Sequence, residues 1–220
     1  FKLKSYFSLI REYLNFPRYS LLADTLRMTS NKFPSVLLNK VFGVSSAGYY
    51  SMSDKILGAP LWLITSAVGD VFRQEASEQF RSKGSCFEIF KKTVKVMFLF
   101  GIIPFILLFI ISPYITPILF GPGWEDVGTY IRIFSFMYFI RFVVMPVYPV
   151  LYIIKKQNYN AIFQGINLFV ILLAFLFGFY TKDLISSLIL WSILSSISYL
   201  SILYFSYKFT KEAKYKEEHY

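Results

Sequence analysis

The chain has 220 residues, of which 55% are hydrophobic, 20% aromatic and only 16% charged, and its net charge is +10. Soluble domains carry about 25% charged residues, so the composition indicates a membrane protein. The basic residues lie between long apolar runs and form no single patch, which argues against a nucleic-acid partner. With one cysteine, Cys86, the chain can form no internal disulfide and no cysteine-based metal cluster.

Residues 1–18 are predicted to form a short amphipathic helix on the cytoplasmic face of the membrane. Apolar side chains recur there at helical spacing from Leu3 to Leu14, with charged and polar side chains opposite. Such a helix lies in the membrane interface. Phe16-Pro17 ends it, since proline is well placed at the start of a following helix.

The predicted first span, residues 19–42, is long enough to cross a bilayer but carries a polar stripe. Spacings of three and four residues put five polar residues on one helical face: Asp24, Arg27, Asn31, Ser35 and Asn39. Arg27 lies about 12 Å and Lys32 about 20 Å from the start of the span, so the pair brackets the bilayer midplane. A Lys or Arg there costs roughly 2.5–3.5 kcal/mol on insertion scales. The stripe is therefore expected to face a water-filled cavity or other helices.

Five further spans are predicted, at about residues 49–72, 94–120, 130–154, 161–180 and 184–207, followed by a charged tail at 208–220. Lys55 lies inside the second span and Arg141 near the centre of the fourth. The polar segment 73–95 is predicted to form two short interfacial helices joined by a turn. The predicted fold class is all-α, a polytopic membrane protein with six transmembrane helices.

The distribution of basic residues predicts the orientation. Sixteen Lys and Arg lie in segments 1–20, 73–95, 155–156 and 208–220, against one in the three turns on the other side. By the positive-inside rule both ends of the chain are cytoplasmic, and Cys86 is expected to react only with reagents that reach the cytoplasm. Because six spans return the chain to its starting side, we predict one lobe of a two-lobe transporter, whose partner is an amino-terminal six-helix lobe.

Five polar residues are the predicted substrate-binding set: Arg27, Asn31, Lys32, Lys55 and Arg141. Of its cations, Arg27, Lys32 and Arg141 are expected near the midplane and Lys55 nearer the outside. Several cations around a water-filled cavity would attract an anion such as a phosphate or diphosphate headgroup. A structural pairing of Arg27 with Asp24 is an equal alternative, and Arg132 and Lys40 are expected to snorkel to the outer surface. No midplane carboxylate, catalytic residue, metal site or cofactor is predicted.

Specific motifs lie within and around residues 42–80: Val44-x-x-Ala47-Gly48-Tyr49-Tyr50, Pro60-Leu61, Ser66-Ala67-Val68-Gly69-x-Val71-Phe72, Ala76-Ser77-Glu78, Phe120-Gly121-x-x-Trp124 and Phe16-Pro17. The chain resembles, on these motifs, the oligosaccharide flippases of bacterial surface polysaccharide synthesis, within the multidrug/oligosaccharidyl-lipid/polysaccharide exporter superfamily. The resemblance covers nearly the whole chain, as the carboxy-terminal six of about twelve helices. It implies transport of a polyprenyl-diphosphate-linked oligosaccharide across the cytoplasmic (inner) membrane, with membrane lipid as surroundings.

Two other functions stay open. A membrane enzyme that polymerises or ligates the same glycans needs a sizeable outer domain, whereas the predicted outer turns have about six, nine and four residues. A drug or cation antiporter of the same superfamily would be expected to use embedded carboxylates against a cationic substrate. The charges predicted here have the opposite sign.

Overall fold

The computed structural model describes the backbone of residues 15–217 and the side chains of residues 25–212. Its helices are α1 (Asn15–Phe42), α2 (Val44–Lys83), α3 (Phe87–Phe120), α4 (Glu125–Val144), α5 (Val150–Ile153), α6 (Gln157–Thr181) and α7 (Leu184–Glu217). The interfacial helix predicted for residues 1–18 lies outside the described residues, except for its last four, which already belong to α1. No strand occurs between residues 15 and 217.

Five helical segments of the described chain are long and apolar enough to cross a membrane: α2, α3, α4 with its continuation to Ile153, α6 and α7. The predicted all-α polytopic fold class is thereby confirmed. The most apolar is α3, whose mean hydropathy reaches 2.8. With 28 residues, α1 is about 42 Å long, but its polar residues keep it out of this group. The sixth span therefore stays a prediction.

The interfacial helices predicted for residues 73–95 are not separate elements. Helix α2 continues without a break to Lys83, and α3 begins at Phe87. Gly84, in the left-handed conformation with φ 68°, ends α2 and donates its N–H to the Phe80 carbonyl. Likewise α7 extends through the predicted tail to Glu217. Lys, Glu, Gln and Ala are good helix formers, so the change in polarity marks where apolar surface stops and not where a helix ends.

The predicted fourth span, residues 130–154, is interrupted. Helix α4 ends at Val144, a 3₁₀ turn covers Met145–Val147, and the short α5 follows. Two prolines, Pro146 and Pro149, lack the N–H that a continuous helix needs. The break is packed against α2, because a Cβ on Gly69 would lie 3.6 Å from the Pro146 backbone.

Small residues let α3 and α4 approach closely. A Cβ on Gly128 would lie 2.4 Å from the Thr116 hydroxyl oxygen and 2.5 Å from the Ser112 carbonyl oxygen. The Ser112 hydroxyl donates to the Gly128 carbonyl at 3.0 Å. Close contacts of this kind hold helices together where lipid supplies no hydrophobic drive. A serine also joins α7 to α4, since the Ser192 hydroxyl donates to the Ile133 carbonyl at 2.8 Å.

The predicted snorkelling of Arg132 is wrong. Its guanidinium donates from Nε to the Phe109 carbonyl at 3.0 Å and from Nη2 to the Ile110 carbonyl at 3.3 Å. A helical residue normally donates its N–H to the carbonyl four positions back, but Pro113 has no N–H to give Phe109. Arg132 supplies the missing donor, so its charge is used inside the α3–α4 pair.

Candidate functional site

A cavity of about 520 Å³ lies among α1, α2, α4, α6 and α7. Its volume falls within the range of about 300–1,000 Å³ seen for ligand sites. Helix α3 contributes no lining residue among those described. The polar lining consists of Arg27, Ser30, Asn31, Lys32, Tyr50, Asp54, Lys55, Thr65, Tyr138, Arg141, Gln164, Asn167, Ser195 and Tyr199.

The structure brings all five predicted binding residues to this cavity. Helix α1 contributes Arg27, Asn31 and Lys32, α2 contributes Lys55, and the last turn of α4 contributes Arg141. Among the described side chains, the lining therefore holds four cations and one carboxylate, which belongs to Asp54. Like charges gathered in a concave site between low-dielectric walls produce a strong positive potential. The arrangement favours an anion.

The two lysines of the lining, Lys32 and Lys55, have ammonium groups that are available to a ligand. Both Lys32 and Lys55 are exposed, and neither forms an ion pair with a described side chain. Arg27 is also exposed and has a contact of its own. The Asp24 side chain, its predicted alternative partner, lies outside the described residues. Exposed ammonium groups keep water around them and can exchange it for ligand oxygens.

Arg141 is held over an aromatic ring. Its guanidinium carbon lies 5.6 Å from the centroid of the Tyr138 ring, close enough for a cation–π interaction. The Tyr138 hydroxyl in turn donates to a carboxylate oxygen of Asp54. Among the described residues, the buried Nε of Arg141 has no hydrogen-bond partner. A buried donor left unpaired costs about 1–3 kcal/mol, so this site gains from an acceptor.

The structure adds one carboxylate to the predicted binding set, because Asp54 also lines the cavity. The second span was expected to begin near Tyr49, but α2 begins at Val44, which puts Asp54 about 15 Å along the helix. The available signal was spacing, because Tyr50, Asp54, Leu61 and Thr65 follow one helical face and all line the cavity. The partner Tyr138 could not be read from α2 alone.

A chain of amide and phenol groups secures the interrupted part of the fourth span next to the cavity. The cavity residue Gln164 donates from Nε2 to the Tyr148 hydroxyl at 2.8 Å. Tyr148 donates to the Asn160 side-chain oxygen, and the Asn160 amide donates to the Tyr152 hydroxyl. These side-chain bonds fix the segment after α4 to α6.

The carboxy-terminal part of the polar stripe of α1 lines a second, smaller concavity. Ser35 and Asn39 line a groove of about 280 Å³ between α1 and α2, and the hydroxyl oxygens of Ser35 and Ser51 lie 3.3 Å apart. Arg27 and Asn31 line the main cavity. The stripe therefore follows concave surfaces of the bundle along much of α1.

The fold and the cavity define a class: a polytopic membrane protein whose apolar helices enclose a cation-lined site. The family comparison narrows this class. A family model described as "Polysaccharide biosynthesis protein" matches residues 1–129, more than half of the chain. The chain belongs to this family.

One curated protein is similar to part of the chain. The amylovoran biosynthesis protein AmsL of Erwinia amylovora is 28% identical over 115 residues, which cover 52% of this chain and 30% of AmsL. The matched part thus spans about a third of that relative's length. No solved structure matches the chain.

Proposed function

We propose that this chain is one lobe of a flippase for a polyprenyl-diphosphate-linked oligosaccharide, used to assemble a surface polysaccharide such as O-antigen or capsule. Membership of the polysaccharide biosynthesis family supports a role in the synthesis or export of a polysaccharide. The observation that carries the transport function is the convergence of four cations on one cavity inside an apolar helical bundle.

The substrate chemistry follows from the charge of the lining. Two opposite unit charges 4 Å apart attract by about 1 kcal/mol in water and about 4 kcal/mol at an effective dielectric constant of 20. A diphosphate presents several oxygens to Arg27, Lys32 and Arg141 together. The same cations discourage a cationic drug, so the lining favours the flippase over the antiporter.

The Asp54 carboxylate in the lining is also compatible with an anionic substrate. Asp54 accepts the Tyr138 hydroxyl, which orients its charge toward that phenol. Its presence keeps the four cations from being wholly uncompensated when no anion is bound. A cavity that must release its substrate benefits from moderate rather than maximal positive charge.

The architecture supports transport over glycan polymerisation or ligation. On the side predicted to be external, the described connections are Gly43 between α1 and α2, residues 121–124 between α3 and α4, and residues 182–183 between α6 and α7. Connections this short build no platform for a growing glycan. We propose a transporter component and not an enzyme.

The complete transporter needs a second wall for the cavity. We propose that an amino-terminal six-helix lobe faces Lys32 and Lys55, so that the substrate passes between two lobes by alternating access. In this arrangement the protein lies in the bacterial cytoplasmic membrane with both ends of the chain cytoplasmic, as the basic asymmetry predicts.

The test is complementation of surface polysaccharide in a strain that lacks its flippase, with the complete gene carrying Lys32→Gln and Arg141→Gln together. We expect export to fall about tenfold or more while immunoblots show normal abundance in the membrane. The matched control is Lys40→Gln, since Lys40 is an exposed cation of the same helix that does not line the cavity. Full export by the double variant would refute the proposal.

A further inference from the structure

Trp62 differs from the other tryptophans of the chain. It is 68% exposed, whereas Trp191 is 5% exposed. Trp191 packs on neighbouring rings, with its centroid 4.9 Å from that of Phe134, and Trp124 lies 6.1 Å from Tyr49. Within the described side chains, Trp62 pairs with no aromatic ring. Both faces of its indole are free of aromatic partners.

The exposed indole belongs to the cavity. Trp62 lines it together with Lys55 and Ala59, and all three are exposed. Positions 55, 59 and 62 are spaced four and three residues apart, so they form one stripe on α2. The stripe presents a charge, then a small side chain, then a broad aromatic surface.

The spacing along this stripe matches a compound ligand. Trp62 lies seven positions after Lys55, which is about 10.5 Å along a helix. A diphosphate bound near Lys55 would thus place the sugar attached to it over Ala59 and Trp62. The Ala59 side chain is only a methyl group, which leaves room for that ring. The indole offers an apolar face to the sugar C–H groups and one N–H donor to a hydroxyl.

We propose that Trp62 forms a stacking subsite for the first sugar of the lipid-linked substrate, next to the cations that bind its diphosphate. The inference rests on the proposed function and goes beyond it by assigning the sugar to a named surface. The cations then recognise what all polyprenyl diphosphates share, while Trp62 distinguishes a glycosylated carrier from a bare one.

The experiment compares the binding of two probes of equal charge to the same purified full-length protein: a bare probe, geranylgeranyl diphosphate capped by a methyl ester on its terminal phosphate, and a glycosylated probe with glucose in place of that methyl group. We expect the glycosylated probe to bind about 3- to 10-fold more tightly, the contribution of one stacked ring. Trp62→Leu should remove this difference and leave the affinity for the bare probe unchanged. Trp62→Phe should retain part of the difference.

Trp124→Leu is the matched control, because Trp124 lies outside the cavity lining and its loss should leave the ratio of affinities as it is. A ratio near one in the unchanged protein would overturn the sugar subsite while leaving the diphosphate site intact. An equal loss of affinity for both probes in Trp62→Leu would also overturn the sugar subsite. It would indicate that the Trp62 side chain supports the structure of the protein and does not contact the sugar. Failure of both probes to bind would overturn the proposed function and, with it, this subsite.

Discussion

The Tyr138 hydroxyl donates a hydrogen bond to the Asp54 carboxylate across 84 residues of sequence. This bond joins α2 to α4, and each of those helices also carries a cation of the cavity, Lys55 and Arg141. The same Tyr138 ring supports the Arg141 guanidinium. One tyrosine therefore positions both a negative and a positive charge at the site.

Asp54→Asn should tighten binding of geranylgeranyl diphosphate. Asparagine retains an oxygen that can accept the Tyr138 hydroxyl but removes the charge that opposes the ligand. Unit charges about 8 Å apart interact by roughly 0.5–2 kcal/mol at effective dielectric constants of 80 to 20. An affinity gain of about 2- to 30-fold follows, measured by titration of purified protein. Weaker binding by Asp54→Asn would show that Asp54 helps to hold the substrate.

Arg132→Leu should lower the thermal stability of the detergent-purified protein. The change removes the side-chain donors of the Phe109 and Ile110 carbonyls, and a carbonyl that faces the apolar membrane without a donor costs free energy, since no water is there to replace the bond. Pro113→Ala restores an N–H for Phe109, so the double variant should recover part of the loss. Independent, additive losses in the two single variants would contradict this role. Export should persist at reduced abundance, because Arg132 does not line the cavity.

Gly128→Ala should destabilise the contact between α3 and α4. The added methyl would sit 2.4 Å from the Thr116 hydroxyl oxygen and 2.6 Å from the Pro113 Cα, so the helices must separate. Overpacking of this kind costs about 1–3 kcal/mol. The control is Gly165→Ala, whose methyl meets nothing within 4 Å and which should melt at or above the original temperature. Equal melting temperatures for both variants would rule out the close packing.

Cys86 should label slowly in the native protein. The residue is 1% exposed, and burial raises the pKa of its thiol to about 11. At pH 8 only about one thiol in a thousand is then the reactive thiolate. Because the thiolate fraction grows with pH, the rate of maleimide labelling should increase about tenfold per unit from pH 8 to 10. Rapid labelling at pH 7 would contradict the burial.

The orientation therefore needs a more accessible cysteine than Cys86. Ser82 is exposed near the end of α2, so Ser82→Cys in a Cys86→Ala background provides one. An impermeant thiol reagent should leave it unlabelled in intact cells and label it after permeabilisation. Labelling from outside in intact cells would reverse the predicted orientation.

The sequence could place the cavity cations because helical spacing is regular. Arg27 and Asn31 are four residues apart, so they share a face wherever α1 packs. Lys55 and Arg141 could be identified because charges inside apolar segments need polar surroundings. All four line the cavity.

The partners of these residues could not be predicted, because they depend on which helices pack together. Tyr138 meets Asp54 only through the contact of α4 with α2. Arg132 finds two carbonyls on α3 because Pro113 leaves the helix there short of a donor. Helix ends were also missed, since charged residues after Phe72 are compatible with continued helix and hydropathy does not report where hydrogen bonding stops.

We propose that the cavity cations bind an anionic lipid-linked sugar while it crosses the membrane. The most direct measurement is transport of a short-chain polyprenyl-diphosphate glucose into proteoliposomes containing the complete protein. Lys32→Gln combined with Arg141→Gln should reduce the initial rate about tenfold or more, while Lys40→Gln transports at the original rate. Equal rates for the unchanged protein, the double variant and Lys40→Gln would show that Lys32 and Arg141 are not needed for transport.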